Sequence, residues 1–249
     1  MNNEYDSITA LHYASYRPSL HTQLLKSYLH SDEKFEIGLD VGCGTGQSAI
    51  SLSSFCSKVV GVDPSQEMIN KSIIQTKVSY QLMQPYKLDF SNDTFEVVTF
   101  AGSLFYAKSQ ALLKETIRVS KSNSKIIVYD FEVLMADAFK LLEIDDNDLS
   151  NSDYDYNYDY DHTTNFSGLD EHCLAQIEQF KQMLQFEISI SDLAHLLLSS
   201  KEDYNRVATK FKSDDLYGTV LQHLKKQIKV STMQLKAITY LTAYTVTKK

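Results

Sequence analysis

The sequence predicts an α/β fold in which helices surround a mostly parallel β-sheet, and two observations support this prediction. Between Phe35 and Phe131, short apolar segments bounded by turn residues alternate with segments of helical periodicity. Successive strands are also separated by enough residues for a crossover connection. We therefore expect neighbouring strands to run parallel, with right-handed crossovers.

The first half of the chain contains the regular part of this pattern. A helix is expected to open at Pro18–Ser19 and to run to about His30, with four leucines on one face. The elements after it are predicted, in order, at residues 35–41 (strand), 47–55 (helix), 58–63 (strand), 65–75 (helix), 78–82 (strand), 93–100 (strand), 110–120 (helix) and 125–131 (strand).

The second half changes character after Glu132. Residues 145–162 are rich in Asp, Asn, Ser and Tyr, a composition that favours a loop over a packed element. Helices are expected to resume at 170–185, 191–199 and 214–228. The last strand is predicted at 235–247, and we expect it to return to the sheet in an antiparallel direction beside residues 186–189.

Composition excludes several classes of protein. With 43% apolar and 22% charged residues, the 249-residue chain is typical of a soluble globular protein and not of collagen, a coiled coil or a disordered chain. No apolar run approaches the ~20 residues of a membrane span, and the polar start at residues 1–6 predicts no secretory signal. Three cysteines without a CxxC pair argue against disulfides and structural zinc, so we expect no metal and a cytoplasmic location.

Three of the eight glycines lie within five residues of one another, at the end of the first predicted strand. Gly42, Gly44 and Gly46 let the backbone turn sharply and approach a ligand closely. A tight turn without a ligand is the alternative, which the scarcity of glycine elsewhere disfavours. The GxGxG spacing places Gln47 at the last position of a dinucleotide fingerprint, and no Gly-Lys-Ser/Thr follows, so neither a pyrophosphate site nor a P-loop is predicted.

Asp63 ends the second predicted strand, where an acidic residue can accept hydrogen bonds from two ribose hydroxyls. The alternative is that Asp63 caps the helix that begins near Ser65. Pro64 and Met68 are then expected to lie against the adenine ring, although Met68 could equally be a core residue. The sequence leaves these alternatives open.

Taken together, these segments resemble the class I S-adenosylmethionine-dependent methyltransferases, in particular the methyltransferase type 11 group and the small-molecule enzymes of the trans-aconitate and ubiquinone-biosynthesis kind. The resemblance covers residues 8–131 in order and spacing. The motifs that carry it are LDVGCGTG (39–46), VVGVDPSQEMI (59–69), YKLDFSNDTFEVVTF (86–100), AGSLFYA (101–107) and RVSKSNSKIIVYDF (118–131). It implies a Rossmann-like seven-stranded sheet, mostly parallel with the last strand antiparallel, with helices on both faces and a helical cap insertion.

The resemblance also implies a role for each motif residue toward S-adenosylmethionine, whose product is S-adenosylhomocysteine. The group around Gly42 would face the methionine part, and Asp63 would hold the ribose. Gln84 stands where many relatives have an acidic residue, and its side-chain oxygen can still accept from the adenine amino group. The implied cofactor-binding residues are Tyr13, Arg17, Asp40, Gly42, Cys43, Gly44, Gly46, Asp63, Pro64, Met68, Met83, Gln84, Pro85, Ala101 and Ser103, with Gly102 between the last two.

The segment HYASYRP (12–18) resembles an N-terminal cofactor lid. Tyr13 and Tyr16 would close over the sulfonium by cation–π attraction. Arg17 would contact the cofactor carboxylate, or would be a solvated charge at the start of a helix.

The catalytic residue stays open at this stage. Methyl transfer is an in-line displacement that depends mainly on alignment and exclusion of water, and a general base helps only where the acceptor carries a proton of high pKa. Candidates for that base are His12, Tyr106, Glu132 and His162, of which His162 is expected to be a surface residue.

The acidic segment bears on the acceptor. The net charge is −8, yet residues 130–172 hold thirteen acidic residues and one basic residue, so the remainder carries about +4. This balance argues against a nucleic-acid partner. If the loop at 145–162 covers the site, it would repel a polyanion, so a neutral or cationic small molecule is expected. The alternative is a solvated loop unrelated to substrate, and a calcium site is disfavoured because EF-hand spacing is missing.

The sequence therefore predicts a methyltransferase acting on a small molecule, a monomer or homodimer without a membrane partner. The expected organisation is an N-terminal helical lid at 1–34, a cofactor-binding core at 35–134, a helical cap insertion at 135–230 and a final strand at 231–249 that returns to the core. The alternative function is a methyltransferase-like protein that binds the cofactor without transferring its methyl group, as a regulatory or partner subunit.

Overall fold

Seven strands form one sheet within the part of the chain that the structure describes. The structure is a computed structural model, and it describes residues 7–16, 18–144, 161–170 and 172–248. The helices are α1 (Ser7–Ser15), α2 (His21–Tyr28), α3 (Gln47–Leu52), α4 (Gln66–Asn70), α5 (Leu104–Ala107), α6 (Gln110–Val119), α7 (Ala136–Leu141), α8 (Ile190–Leu196), α9 (Lys201–Phe211) and α10 (Leu216–Gln227). The strands are β1 (Phe35–Val41), β2 (Cys56–Asp63), β3 (Val78–Leu82), β4 (Phe95–Ala101), β5 (Ser120–Val133), β6 (Leu174–Ser189) and β7 (Thr232–Val246).

The sheet has the strand order β3-β2-β1-β4-β5-β7-β6. The first five strands in this order pair in parallel. The last two strands in this order, β7 and β6, run antiparallel to each other. Hydrogen bonds show the direction of β6 and β7, because the Thr247 amide bonds to Cys173 at one end and the Ile190 amide bonds to Ser231 at the other. The predicted α/β class, with a mostly parallel sheet and an antiparallel end, is thus confirmed.

Several predicted elements have the expected bounds, and others are shorter. The strands at 35–41 and 78–82 begin and end where the sequence predicts. The helices after β1 and β2 end early, at Leu52 and Asn70. The residues beyond α4 connect instead to β3 through a turn in which the Val78 amide donates to the Gln75 carbonyl.

The predicted helix at 170–185 is wrong, because this segment forms most of the long strand β6. Its Gln, Glu, Lys, Leu and Met residues favour a helix on intrinsic propensity. From Phe180 to Ile188, however, more buried and exposed side chains alternate with a period of two, as the face of a strand requires. Pairing with β7 overrides the local preference. The segment 135–230 is therefore not wholly helical. The sequence prediction also missed the helix α9 in this segment.

Strand β5 begins five residues earlier than expected. The Ser122–Ser124 segment, which precedes the predicted strand at 125–131, lies inside β5. The register with β4 shifts here, from Phe95 opposite Ser120 to Val97 opposite Lys125, and Asn123 has a φ of 62°. Such a bulge accommodates the extra residues without ending the strand.

The chain divides into two units, each with its own apolar core. The first comprises Met1–Pro18, Glu132–Tyr156 and Met183–Ile238, and the second comprises Ser19–Phe131, Asn157–Gln182 and Thr239–Lys249. The core of the first includes Phe139, Leu193 and Val220, and the core of the second includes Leu39, Phe100 and Ile126. The lid and cap roles assigned to residues 1–34 and 135–230 stay predictions.

None of the helices that the described residues form is both long and apolar enough to cross a bilayer.

Candidate functional site

The glycine turn connects the carboxyl end of β1 to α3, in the second unit. The backbone is left-handed at all three glycines, with φ of 74° at Gly42, 54° at Gly44 and 96° at Gly46. Amides of the turn bond to β2, since the amides of Gly42 and Cys43 both donate to the Val62 carbonyl. The turn is therefore fixed against the neighbouring strand, at the edge where the parallel strands end.

The three glycines differ in what a side chain at each position would meet. A Cβ at Gly42 would lie 2.4 Å from the Cβ of Ser103, and a Cβ at Gly46 would lie 2.1 Å from the hydroxyl of Tyr80. A Cβ at Gly44 would meet nothing within 4 Å. Gly42 and Gly46 thus permit packing within the protein, whereas Gly44 borders open space that a ligand can enter.

Asp63 fastens the turn to the start of α4. One carboxylate oxygen accepts from the Gly44 amide at 2.9 Å, and the other accepts from the Ser65 amide at 2.8 Å. The side chain that caps α4 belongs to Ser65, whose hydroxyl accepts from the Met68 amide. Capping by Asp63 itself is therefore wrong. The carboxylate is held in one orientation beside the open glycine, and its contact with a ribose stays a prediction.

Asp40 supports the turn from beneath. It is completely buried, and its carboxylate accepts hydrogen bonds from Ser48 at 2.5 Å and from Thr99 at 2.7 Å. Burial raises the pKa of Asp40 to about 6, against the opposing effect of these two hydrogen bonds. Because no part of the side chain reaches the surface, Asp40 can serve a ligand only by positioning α3 and β4 around the turn.

A cleft adjoins the carboxyl end of β3. Val62, residues 81–84 and residues 87–90 line it. Met83 is 8% exposed and packs in the core of the second unit, while Gln84 and Pro85 are exposed. Pro64 is exposed and Met68 is 41% exposed, so Met68 is not a core residue. The predicted adenine-contacting residues Met83 and Gln84 therefore line one cleft next to Asp63.

One wall of this cleft is held by a pair that the sequence analysis missed. The guanidinium of Arg118 donates to Glu115 and also to the carbonyls of Leu88 and Phe90, while Glu115 accepts from the Leu88 amide. The Arg118 guanidinium holds the pKa of Glu115 below its usual value. The i,i+3 spacing of Glu115 and Arg118 on α6 is that of an ordinary surface ion pair, so nothing in the sequence indicates that they hold a loop.

The segment after β4 lies directly against the glycine turn. Ser103 packs beneath Gly42, and its hydroxyl donates to the Val41 carbonyl. Gly102 has a φ of 65°, and a Cβ there would lie 3.0 Å from a carboxylate oxygen of Asp130. Ser103 thus borders the glycine turn, and its neighbour Gly102 lines a second pocket together with Asp130, His162 and Tyr240, among others.

The candidate general bases are dispersed. His12 is 6% exposed in the first unit, where its Nδ1 lies 2.9 Å from Nδ1 of His195, and burial lowers the pKa of both rings. Tyr106 is 76% exposed, and Glu132 is exposed. His162, expected to be a surface residue, is partly buried, with 20% of its side chain exposed.

Some of the predicted residues fall outside the description. Arg17, the side chain of Tyr13 and the acidic segment at 145–160 lie outside the described residues. Tyr16 is part of the first unit and packs beside its core. Cys43 is buried in the turn, and burial raises the pKa of its thiol well above the usual value.

Comparison with known proteins gives a family match for the part of the chain that forms this site. Residues 39–128, from the end of β1 into β5, match the model of the methyltransferase domain family. This range contains the glycine turn, Asp63 and the cleft beside β3.

Individual relatives are similar over part of their length. A provisionally named methyltransferase of Dictyostelium discoideum is 26% identical over 123 residues, which cover 49% of this chain and 47% of the relative. The ubiquinone/menaquinone biosynthesis C-methyltransferase UbiE of Geotalea uraniireducens is 29% identical over 115 residues, 42% of this chain and 49% of the relative. The chain thus spans about half the length of these curated relatives.

A solved structure is similar over almost the whole chain. A provisionally assigned type II methyltransferase from Anaeromyxobacter dehalogenans superposes with a TM-score of 0.58 over 92% of this chain and 97% of its own. At 14% sequence identity, this similarity shows the fold alone.

Proposed function

We propose that this chain, which carries a class I methyltransferase domain at residues 39–128, transfers a methyl group from S-adenosylmethionine to a small-molecule acceptor. The observation that carries the proposal is the pairing of the open Gly44 with the fixed carboxylate of Asp63. A backbone without a side chain and an oriented carboxylate meet where parallel strands end, which is where ligands bind in sheets of this kind.

The residues present fit an adenosyl ligand. Because Gly44 has no side chain and borders open space, the methionine part of the ligand could approach the backbone closely there. Asp63 would accept from the ribose hydroxyls, and the cleft between residues 81–84 and 87–90 would receive the adenine. When bound, S-adenosylmethionine supplies an electrophilic methyl group.

The contribution of the protein to the reaction is then mainly positional. The β2 contacts and Asp40 hold the turn, while Ser103 under Gly42 joins it to the end of β4. A site fixed in this way can align a nucleophile with the methyl group and keep water out. The acceptor would be neutral or cationic, and the enzyme would act in the cytoplasm as a monomer or homodimer. Calorimetry tests the binding of the cofactor, and a transfer assay tests the methylation of an acceptor.

Calorimetric titration tests the cofactor site. We expect wild type to bind S-adenosylhomocysteine at micromolar concentration and Asp63→Ala to bind it about 100-fold more weakly, because two hydrogen bonds to a charged group are lost. Glu67→Ala is the matched control, since Glu67 lies nearby on α4 and is largely exposed. Circular dichroism should show that both variants are folded. Equal affinity of all three proteins, or no binding by folded wild type, would refute the proposed site.

Transfer of a labelled methyl group distinguishes the proposal from its alternative. An enzyme should release S-adenosylhomocysteine in proportion to the methylated acceptor across a panel of hydroxyl, amine and carbon nucleophiles. Tight binding with no turnover of any acceptor would instead favour a protein that binds the cofactor without transfer, as a regulatory or partner subunit.

A further inference from the structure

A histidine, a carboxylate and a tyrosine meet in a pocket that the cofactor site does not use. The pocket lies at the carboxyl ends of β4 and β5 and is lined by Gly102, Asp130, His162, Asn165 and Tyr240, among others. All five belong to the second unit. They come from four separate parts of the sequence, so the fold alone brings them together.

His162 is held on two sides. Its ring stacks on Tyr240, with centroids 4.1 Å apart and planes 14° from parallel. Its Nδ1 atom lies 3.7 Å from a carboxylate oxygen of Asp130, within ion-pair distance. Lys181 Nζ lies 5.1 Å from the centroid of the Tyr240 ring and places a positive charge beside this stack. The imidazole therefore has a defined position and a defined orientation.

The cluster is next to the segment that packs on the glycine turn. A Cβ at Gly102 would lie 3.0 Å from Asp130, and the following residue, Ser103, packs under Gly42. Glycine at position 102 leaves room between the end of β4 and the Asp130 carboxylate. Gly102 and Ser103 thus lie between the glycine turn and the Asp130–His162 pair within the second unit.

We propose that His162, oriented by Asp130 and Tyr240, is the general base for an acceptor that presents a hydroxyl group. The proposal rests on the proposed methyltransferase function. With Nδ1 turned toward Asp130, Nε2 is the atom that receives the proton. In apo geometry such contacts are often long and tighten when the substrate binds, so the 3.7 Å separation suits this role.

The step balances without another reactant. The acceptor oxygen forms a bond to the methyl carbon as the carbon–sulfur bond of S-adenosylmethionine breaks, and the electron pair of that bond stays on sulfur. The hydroxyl proton moves to His162 Nε2, and Asp130 stabilises the resulting imidazolium. The products are a methyl ether and S-adenosylhomocysteine, and the proton later passes to solvent.

A hydroxyl is favoured over a polyanionic acceptor by the charge of the pocket. The carboxylate of Asp130 would repel an anion, whereas a neutral hydroxyl can donate to His162. An uncharged hydroxyl is also the kind of nucleophile that needs a base, because it gains most from losing its proton as it reacts.

The orientation of His162 can be tested without any acceptor. In ring ¹⁵N spectra of the full chain at mildly alkaline pH, we expect His162 to be in the tautomer protonated at Nδ1. Asp130→Asn should shift it toward the Nε2-protonated form. His162→Gln identifies the signals, and His172→Gln is the matched control, because His172 is exposed and also paired with an aspartate. An unchanged tautomer in Asp130→Asn would overturn the assignment.

The catalytic role is tested with phenols of graded acidity, from 4-methoxyphenol to 4-nitrophenol, which is largely ionised in mildly alkaline buffer. We expect His162→Gln to lower kcat about 100-fold for the weakly acidic phenols and by less than threefold for 4-nitrophenol, because an ionised acceptor needs no base. His172→Gln should leave both rates unchanged. Equal losses across the series would indicate a structural role and contradict the proposal, as would wild type that methylates no phenol.

Calorimetry separates this test from the proposed function. His162→Gln and Asp130→Asn should bind S-adenosylhomocysteine within about twofold of wild type, since neither residue belongs to the cofactor site. If wild type itself fails to bind S-adenosylhomocysteine, the proposed function fails. If binding is intact and the tautomer or acidity dependence is absent, only the role of His162 fails.

Discussion

At the glycine turn, the three glycines have different structural roles. Gly42 and Gly46 permit the backbone to pack closely against Ser103 and Tyr80, while Gly44 leaves space at the surface. The scarcity of glycine elsewhere made the turn predictable from the sequence. Which glycine borders open space was not predictable, because it depends on Tyr80, 34 residues after Gly46, and on Ser103, 61 residues after Gly42.

This difference predicts that two similar substitutions affect stability and ligand binding to different extents. Gly46→Ala should lower the free energy of unfolding by about 2–4 kcal/mol, because its Cβ would overlap Tyr80 at a left-handed φ. Gly44→Ala should cost about 1 kcal/mol of stability yet weaken S-adenosylhomocysteine binding at least tenfold. Urea unfolding and calorimetry measure the two effects. If Gly44→Ala binds as wild type does, the ligand does not approach this glycine.

The buried Asp40 should make the unfolding free energy depend on pH. Its pKa is raised by burial from 3.8 to about 6, so folding favours the neutral carboxyl. The stabilisation that comes from the neutral carboxyl is fully present below pH 3.8 and is lost as the pH rises through about 6. The total loss is roughly 3 kcal/mol of unfolding free energy.

Asp40→Asn cannot titrate and should lack this loss. We therefore expect the difference in unfolding free energy between wild type and Asp40→Asn to change between pH 4 and pH 6 by about 2 kcal/mol, which is most of the full loss. Urea unfolding at several pH values measures it. Asp137→Asn, an exposed carboxylate on α7, is the control and should run parallel to wild type. A parallel curve for Asp40→Asn would contradict the assigned pKa.

At the scale of elements, long-range pairing decides where local preference misleads. The segment of β6 has the composition of a helix, and its strand structure comes from its partner β7, which lies about fifty residues further along the chain. The bulge in β5 also depends on a distant partner. Its Ser and Asn residues favour a turn on local preference, and pairing with β4 on both sides of them keeps them within the strand. By contrast, the strands β1 and β3 carry enough apolar and β-branched residues to be found without their partners.

Arg118 on helix α6 binds a loop of the cleft, and its substitution should therefore affect both stability and ligand binding. Arg118→Lys keeps the charge but loses the forked contacts to Glu115 and to the carbonyls of Leu88 and Phe90. We expect Tm to fall by about 3–6 °C, as a loss of about 1–2 kcal/mol implies for a chain of this size.

The same variant should bind S-adenosylhomocysteine several-fold more weakly, because one wall of the cleft is loosened. Lys121→Ala breaks a more exposed ion pair with Glu96 and should change neither quantity by much. Thermal unfolding followed by circular dichroism and calorimetric titration measure both. Equal behaviour of the two variants would show that Arg118 is an ordinary surface charge.

At the scale of the whole molecule, the sequence predicts the fold class and the glycine–aspartate site because both are encoded in short, continuous segments. It does not predict the Asp130–His162–Tyr240 cluster, whose members are 32 and 78 residues apart. The low-complexity sequence before His162 favoured a surface position, and only the return of β7 to the sheet places Tyr240 beneath its ring. The loop-like composition there gave no signal of a site.

In the proposed function, the second unit binds the adenosyl group between the glycine turn and the cleft beside β3. A crystal structure of the complex with S-adenosylhomocysteine would show whether it does. We expect the adenine between residues 81–84 and 87–90, the ribose hydroxyls on Asp63 and the amino-acid end over Gly42–Gly46. Adenosyl density at another place, with Asp63 still bonded only to the amides of Gly44 and Ser65, would contradict the assigned site and the function proposed from it.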